Sequence, residues 1–170
     1  AFAASIIVLL ARYVVNVETS PLISDTDDAM RLVVVRDFLN GQGWFDNVQH
    51  RLNTPFGAEI HWSRLIDLPI AGLVLLARPF ASTSAEMVAA FIWPLILLFV
   101  LLAVSAKLCV RLIGRDGTLP GVLLPVFSPS ILAEFTPGRV DHHNVQLILA
   151  LVTVYCTIEA LKRPAFAIGA

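Results

Sequence analysis

MVAAFIWPLILLFVLLAVSAKLCVRL, residues 87–112, decides the fold class. It carries no charge before Lys107. It is longer than the roughly 20 apolar residues that take a helix across a hydrocarbon core of about 30 Å. It therefore reads as a membrane span, kinked near Pro94. The rest of the chain agrees, with 57% hydrophobic residues, 15% charged residues and a mean hydropathy of +0.78, a composition far from that of a soluble globular domain.

Working outward, three further spans are expected, at 1–17, 118–135 and 145–161. The one at 118–135 contains Pro120, Pro125 and Pro129, so it is an irregular helix whose freed carbonyls must be met by neighbours or cavity water. Leu65–Phe80 is apolar but short and holds Asp67, Pro69, Arg78 and Pro79, so it reads as interfacial or re-entrant. The expected fold class is all-α, a polytopic integral membrane helical bundle with a large ordered external loop at 18–85.

Turn signals at Ser20-Pro21, Asn40-Gly41, Asn53-Thr54-Pro55 and Phe56-Gly57 mark that loop as lying outside the bilayer. Inside it, Asp27–Leu39 sets Ala29, Leu32, Val33, Val35, Phe38 and Leu39 largely on one side and Arg31 and Asp37 elsewhere. That pattern predicts an amphipathic helix closed by Gly41. Lys107, Arg111, Arg115, Lys162 and Arg163 fall at span ends that share one face, which the positive-inside rule makes cytoplasmic. The loop and Asp141 then share the outer face, provided Leu65–Phe80 does not cross.

A net charge of −1 with no basic arm excludes nucleic acid as a partner. Cys109 and Cys156 lie in apolar runs and read as packing residues, not a disulfide framework. The chain opens inside an apolar run and stops just past a basic flank. It is expected to be the N-terminal part of a larger transmembrane domain, inactive alone.

Two clusters can carry chemistry: Ser24-Asp25-Thr26-Asp27-Asp28 and Val140-Asp141-His142-His143. Carboxylates and imidazoles at a bilayer edge are costly to desolvate, and a divalent cation is a physically sensible reason for both. Asp25 and Asp27 suit helix capping, whereas one cap does not need three carboxylates and Asp28 is left for function. Asp141 and His143 can point at one ion if the backbone between them is extended, though an N-cap Asp followed by two interfacial histidines is the plainer alternative. A carboxylate with an imidazole suits Mn2+, while Mg2+ prefers oxygen alone. Arg31, Arg36, Arg64 and Arg139 gather on the same outer face, where guanidinium forks can take a phosphate or pyrophosphate. His61 and Trp62 sit at headgroup level, Trp62 as an aromatic-belt anchor, and either could line a site for a sugar or a lipid phosphate.

Asp27-Asp28-Ala29-Met30-Arg31 just after the first span, with Gly138-Arg139-Val140-Asp141-His142-His143 before the last, resembles the GT-C class of membrane glycosyltransferases. Within that class it is most similar to the oligosaccharyltransferase catalytic subunits of archaea and bacteria. The resemblance implies that Asp28, Asp141 and His143 hold a divalent cation, Mn2+ or Mg2+, and that Asp28 and Asp141 are catalytic. It implies a polyprenyl-linked phosphosugar donor entering from the bilayer; from their own chemistry, Arg31, Arg64, Arg139 and His61 are expected near its phosphates. The expected activity is sugar or glycan transfer to an acceptor (protein, lipid or polysaccharide) at the periplasmic face of a bacterial inner membrane. Phe56–Arg64 departs from the family's best-known members. The competing class is a transporter or flippase component whose acids and histidines line an ion path; against it, these groups sit at span edges and no internal repeat is visible.

Overall fold

A computed structural model describes residues 25–162, together with Leu22, Ile23 and the isolated positions Ala3, Ile6, Ile7, Leu10 and Ala11. The span expected at 1–17, Ser24 and the flank from Arg163 lie outside the described residues, those five positions apart. The protein is mostly helical and divides into two compact units. The first, here the loop unit, is Thr19–Trp93 with Gly138–Asp141; the second, the helical unit, is Ala1–Glu18, Pro94–Pro137 and His142–Ala170.

In the loop unit, α1 spans Thr26–Leu39. Asp25 caps it, its Oδ1 accepting the Asp27 N–H at 2.9 Å, and Asp27 and Asp28 place negative charge in the first turn, where the helix dipole favours it. Asn40 and then Gly41, at φ +103°, end the helix. The buried positions are Asp28, Arg31, Leu32, Val34 and Val35. This corrects the amphipathic expectation, which put Arg31 away from the packed side. Arg31 goes inward because two acids and an aromatic face meet it there. After α1, Val48–Gln49 (β1) pairs antiparallel with Ala58–Glu59 (β2) in a two-stranded ladder, so the fold is not wholly helical.

Ser63 caps α2, Arg64–Ala77, by accepting the Leu65 N–H at 3.2 Å. At 14 residues α2 is about 21 Å long, too short to cross a core of about 30 Å. Its polarity is inverted. Arg64, Asp67, Ile70, Ala71 and Val74 are buried, while Leu65, Leu68, Leu75 and Leu76 are exposed at 70%, 50%, 50% and 71%. α1 packs on α2, and Leu32, Val35, Ile70, Val74, Ala89 and Ala90 belong to the core of this unit.

The helix α3, Ala85–Ile113, continues through Pro94 into the helical unit. There a 3-10 turn at Arg115–Gly117 leads to α4, Thr118–Val126, and α5, Pro129–Ala133; α6 spans His143–Lys162. The span expected at 118–135 is thus broken. Ser128 accepts the Ile131 N–H at 3.4 Å and Pro129 occupies the first turn of α5, a start signal that ends the preceding helix. The two helices within 118–135, of 9 and 5 residues, are each too short to cross a membrane alone. Among the described residues two helices, α3 and α6, are long and apolar enough to cross a membrane. Within this unit Arg111 pairs with Glu159. Cys156 is exposed rather than packed.

Candidate functional site

The loop unit gathers its charged side chains around the first turn of α1 and the segment 138–141. Gly138 shapes that segment: its φ is +97°, its N–H donates to the Ala90 carbonyl at 3.0 Å, and a Cβ there would collide with the Leu22 carbonyl. Only glycine meets all three conditions at no steric cost.

Asp28, 1% exposed, grips the three residues after that glycine. Its Oδ1 accepts the backbone N–H groups of Val140 at 2.8 Å and Asp141 at 2.9 Å, and its Oδ2 accepts Arg139 Nη1 at 2.9 Å. The same Nη1 donates to Asp25 Oδ2 at 2.9 Å. Asp25 therefore does the capping, and Asp28 ties α1 to a segment more than a hundred residues away. Burial pushes the Asp28 carboxyl above its ordinary 3.8, against the opposing pull of the Asp141 N–H, Arg139 and the Val140 N–H.

Asp141, also buried, lies 3.5 Å through Oδ1 from Arg31 Nη2. Arg31 is fully buried, and its Nη1 donates to Asp67 Oδ1 at 2.8 Å. Its guanidinium carbon stands 4.2 Å from the Trp62 ring centroid, within cation–π range, so Trp62 holds a cation's face. Arg64, 4% exposed, donates through Nη1 to Asp67 Oδ2 and the Val34 carbonyl, both at 3.4 Å. Its Nη2 donates to Gln42 Oε1 at 2.9 Å and to the Asp46 carbonyl at 2.6 Å. Arg64 thus knits α1, the loop and α2 together. Burying an ion is tolerated only where partners repay its lost hydration. Here Asp28, Asp67 and Asp141 are matched by Arg31, Arg64 and Arg139.

Of the residues expected at a site, Asp28, Asp141, Arg31, Arg64 and Arg139 meet in this one unit. Arg31 and Arg64 are turned inward onto acids and carbonyls, and Arg139 is the most accessible of the three at 20% side-chain exposure. His61 is exposed ahead of α2. His143 belongs to the helical unit, at the start of α6, with Nδ1 3.2 Å from Gln146 Oε1 and its ring 4.5 Å from that of His142. There it lines a groove of about 500 Å³ with Ile131, Glu134 and Leu147. Asp67 was not singled out by sequence reasoning as a site residue. Its signal was available, an acid in an otherwise apolar stretch, which by default asks for a buried partner.

Carboxylate oxygens are donors of the kind a hard divalent cation takes. An ionised carboxylate offers about four lone-pair directions, of which Asp28 commits three. Asp141 Oδ1 accepts from Arg31 Nη2 at 3.5 Å. Oxygen donors of this kind suit Mg2+ or Mn2+. No family model, curated protein or solved structure matches the chain.

Proposed function

We propose that this chain is part of a metal-dependent membrane glycosyltransferase that moves a sugar or glycan from a polyprenyl-linked phosphate to an acceptor at the outer face of a bacterial inner membrane. The observation that carries the reading is the bond from the Asp141 N–H to Asp28 Oδ1 at 2.9 Å, which brings two buried acids from distant segments into one cluster with three arginines.

Asp28 and Asp141 supply oxygen donors to the cation. The bound ion would neutralise the phosphate that departs as the acceptor attacks the anomeric carbon. Arg139, accessible and anchored by Asp25 and Asp28, is the guanidinium placed to meet a phosphate oxygen. Arg31 and Arg64 hold the acids from behind.

The test is transfer from a polyprenyl-linked sugar by the full-length membrane protein. EDTA should abolish it and Mn2+ or Mg2+ restore it, and Asp141→Asn should lower turnover at least about a hundredfold with unchanged expression, in the range typical of a lost transition-state contact. Transfer that survives chelation and Asp141→Asn would sink the reading. A cation flux in its place would favour a transporter.

A further inference from the structure

The two helices long enough to cross a membrane end side by side in the helical unit: Glu159 of α6 pairs with Arg111 of α3, and Lys162 Nζ donates to the Arg111 carbonyl at 3.4 Å. One turn before Arg111, Lys107 stands on the same side of α3, and both line a groove of about 400 Å³ with Ala106, Val110 and, from α6, Tyr155. The charge at this end is unbalanced. Lys107, Arg111 and Lys162 bring three cations, and Glu159 brings a carboxylate that is already on Arg111. Among the described residues Lys107 has neither an ion pair nor a hydrogen bond, and the Tyr155 hydroxyl has no hydrogen-bond partner. Like charges four residues apart on a helix repel, so an anion bound between Lys107 and Arg111 relieves a strain that the helix carries without it.

Depth narrows the chemistry of that anion. Met87–Ala106 is a run of 20 residues without a charge, about 30 Å of helix and the thickness of a hydrocarbon core. Lys107 therefore falls where the core gives way to headgroup phosphates. Leu112 and Leu161, next to Arg111 and Lys162 in the chain, are exposed and offer apolar surface to acyl chains beside the groove. We propose that the groove binds the headgroup phosphate of an acidic phospholipid, held by Lys107, Arg111 and the Tyr155 hydroxyl, with Lys162 at its rim. Basic pockets between membrane helices on the cytoplasmic side suit such headgroups. A zwitterionic lipid carries the same phosphate but brings a cation of its own toward Lys107, so the site selects by net charge. Basic residues that only set topology would draw the whole leaflet, and no one position among them would matter more than another. The inference needs α3 and α6 to cross a membrane and is independent of sugar transfer.

The experiment is native mass spectrometry of the full-length protein in detergent, titrated with phosphatidylglycerol and with phosphatidylcholine of the same chains, then repeated with inorganic phosphate as competitor. Phosphatidylglycerol should bind at least about fivefold more tightly, the effect of one basic residue at a membrane surface. Lys107→Gln should remove about fivefold of that preference and Lys107→Arg should keep it. Arg115→Gln removes an exposed cation outside the groove and should change the preference by less than about twofold. Equal binding of the two lipids overturns the inference. Equal losses from Lys107→Gln and Arg115→Gln also overturn it, because charge anywhere at this end would then suffice. Displacement of the lipid by inorganic phosphate at equal concentration marks a site for a free anion and overturns it as well. Each variant is checked by thermal unfolding. Should Lys107→Gln not fold, Lys162→Gln at the exposed end of α6 takes its place with the same expected loss, and an unchanged preference there overturns the inference. None of these readings involves sugar transfer, so the proposed function stands or falls separately.

Discussion

Asp28 Oδ1 accepts the backbone N–H of Asp141 at 2.9 Å, closing a separation of 113 residues with one hydrogen bond. The Val140 N–H shares the same oxygen, so the 138–141 segment is fixed by a side chain and not by regular secondary structure.

Asp28→Ala orphans both N–H groups and removes a partner of Arg139. Unfolding should show a loss of about 3 kcal/mol, the cost of unpaired buried donors. Asp28→Asn keeps one oxygen for the two N–H groups but turns an amide donor toward Arg139, and about 1–2 kcal/mol should be lost. Equal stability of the two variants would show that the segment is held by something else.

Asp25→Asn is expected to be mild. Asparagine caps a helix about as well as aspartate, and Arg139 keeps its bond to Asp28. A change under about 1 kcal/mol, with transfer within a few-fold of normal, is the expected result of an exposed ion pair's removal.

Gly138→Ala places a methyl group against the Leu22 carbonyl at φ +97°. Strain at such a position costs about 1–3 kcal/mol. The segment carrying Arg139 and Asp141 should shift, and proteolysis near residue 138 should speed up. A variant as protease-resistant and as active as the unmodified protein would contradict the geometry.

Asp37 offers a pH signature. Burial raises its carboxyl, but hydrogen bonds from Arg51 and Gln49 outweigh it and hold the group below its ordinary 3.8. A carboxyl lowered on folding stabilises above its unfolded value and loses that contribution as the pH falls through the folded value. At neutral pH Asp37→Asn should therefore be less stable, by up to about 1 kcal/mol for so accessible a pair. The difference should shrink as the pH falls below 3.8 and vanish once it has passed the folded value, and a difference that grows on acidification would reverse the sign.

Much of the frame was legible. The run at 87–112 announced α3, and Asp25 and Gly41 marked the ends of α1 within a residue or so. Local signals suffice where the physics is local. The inward turn of Arg31 was not legible, because its partner Asp67 lies 36 residues away and helical periodicity counts arginine as solvent-seeking. The break before Pro129 was written in Ser128-Pro129, but summed apolarity across 118–135 masked it. The β1–β2 ladder, two residues a strand, is too short to show any alternation.

Four leucines face outward from α2 while an arginine and an aspartate face in. Transfer of each leucine from water to an oily medium is worth about 1.5–3 kcal/mol, so together they rival the net stability of an entire domain, about 5–15 kcal/mol. The same short helix carries Asp67 and Arg64, so whatever coats its leucines also governs whether those ions stay in register. The detergent or nanodisc chosen for purification thereby becomes a chemical variable, and two preparations of one sequence should differ in the integrity of the ionic cluster before any residue is changed.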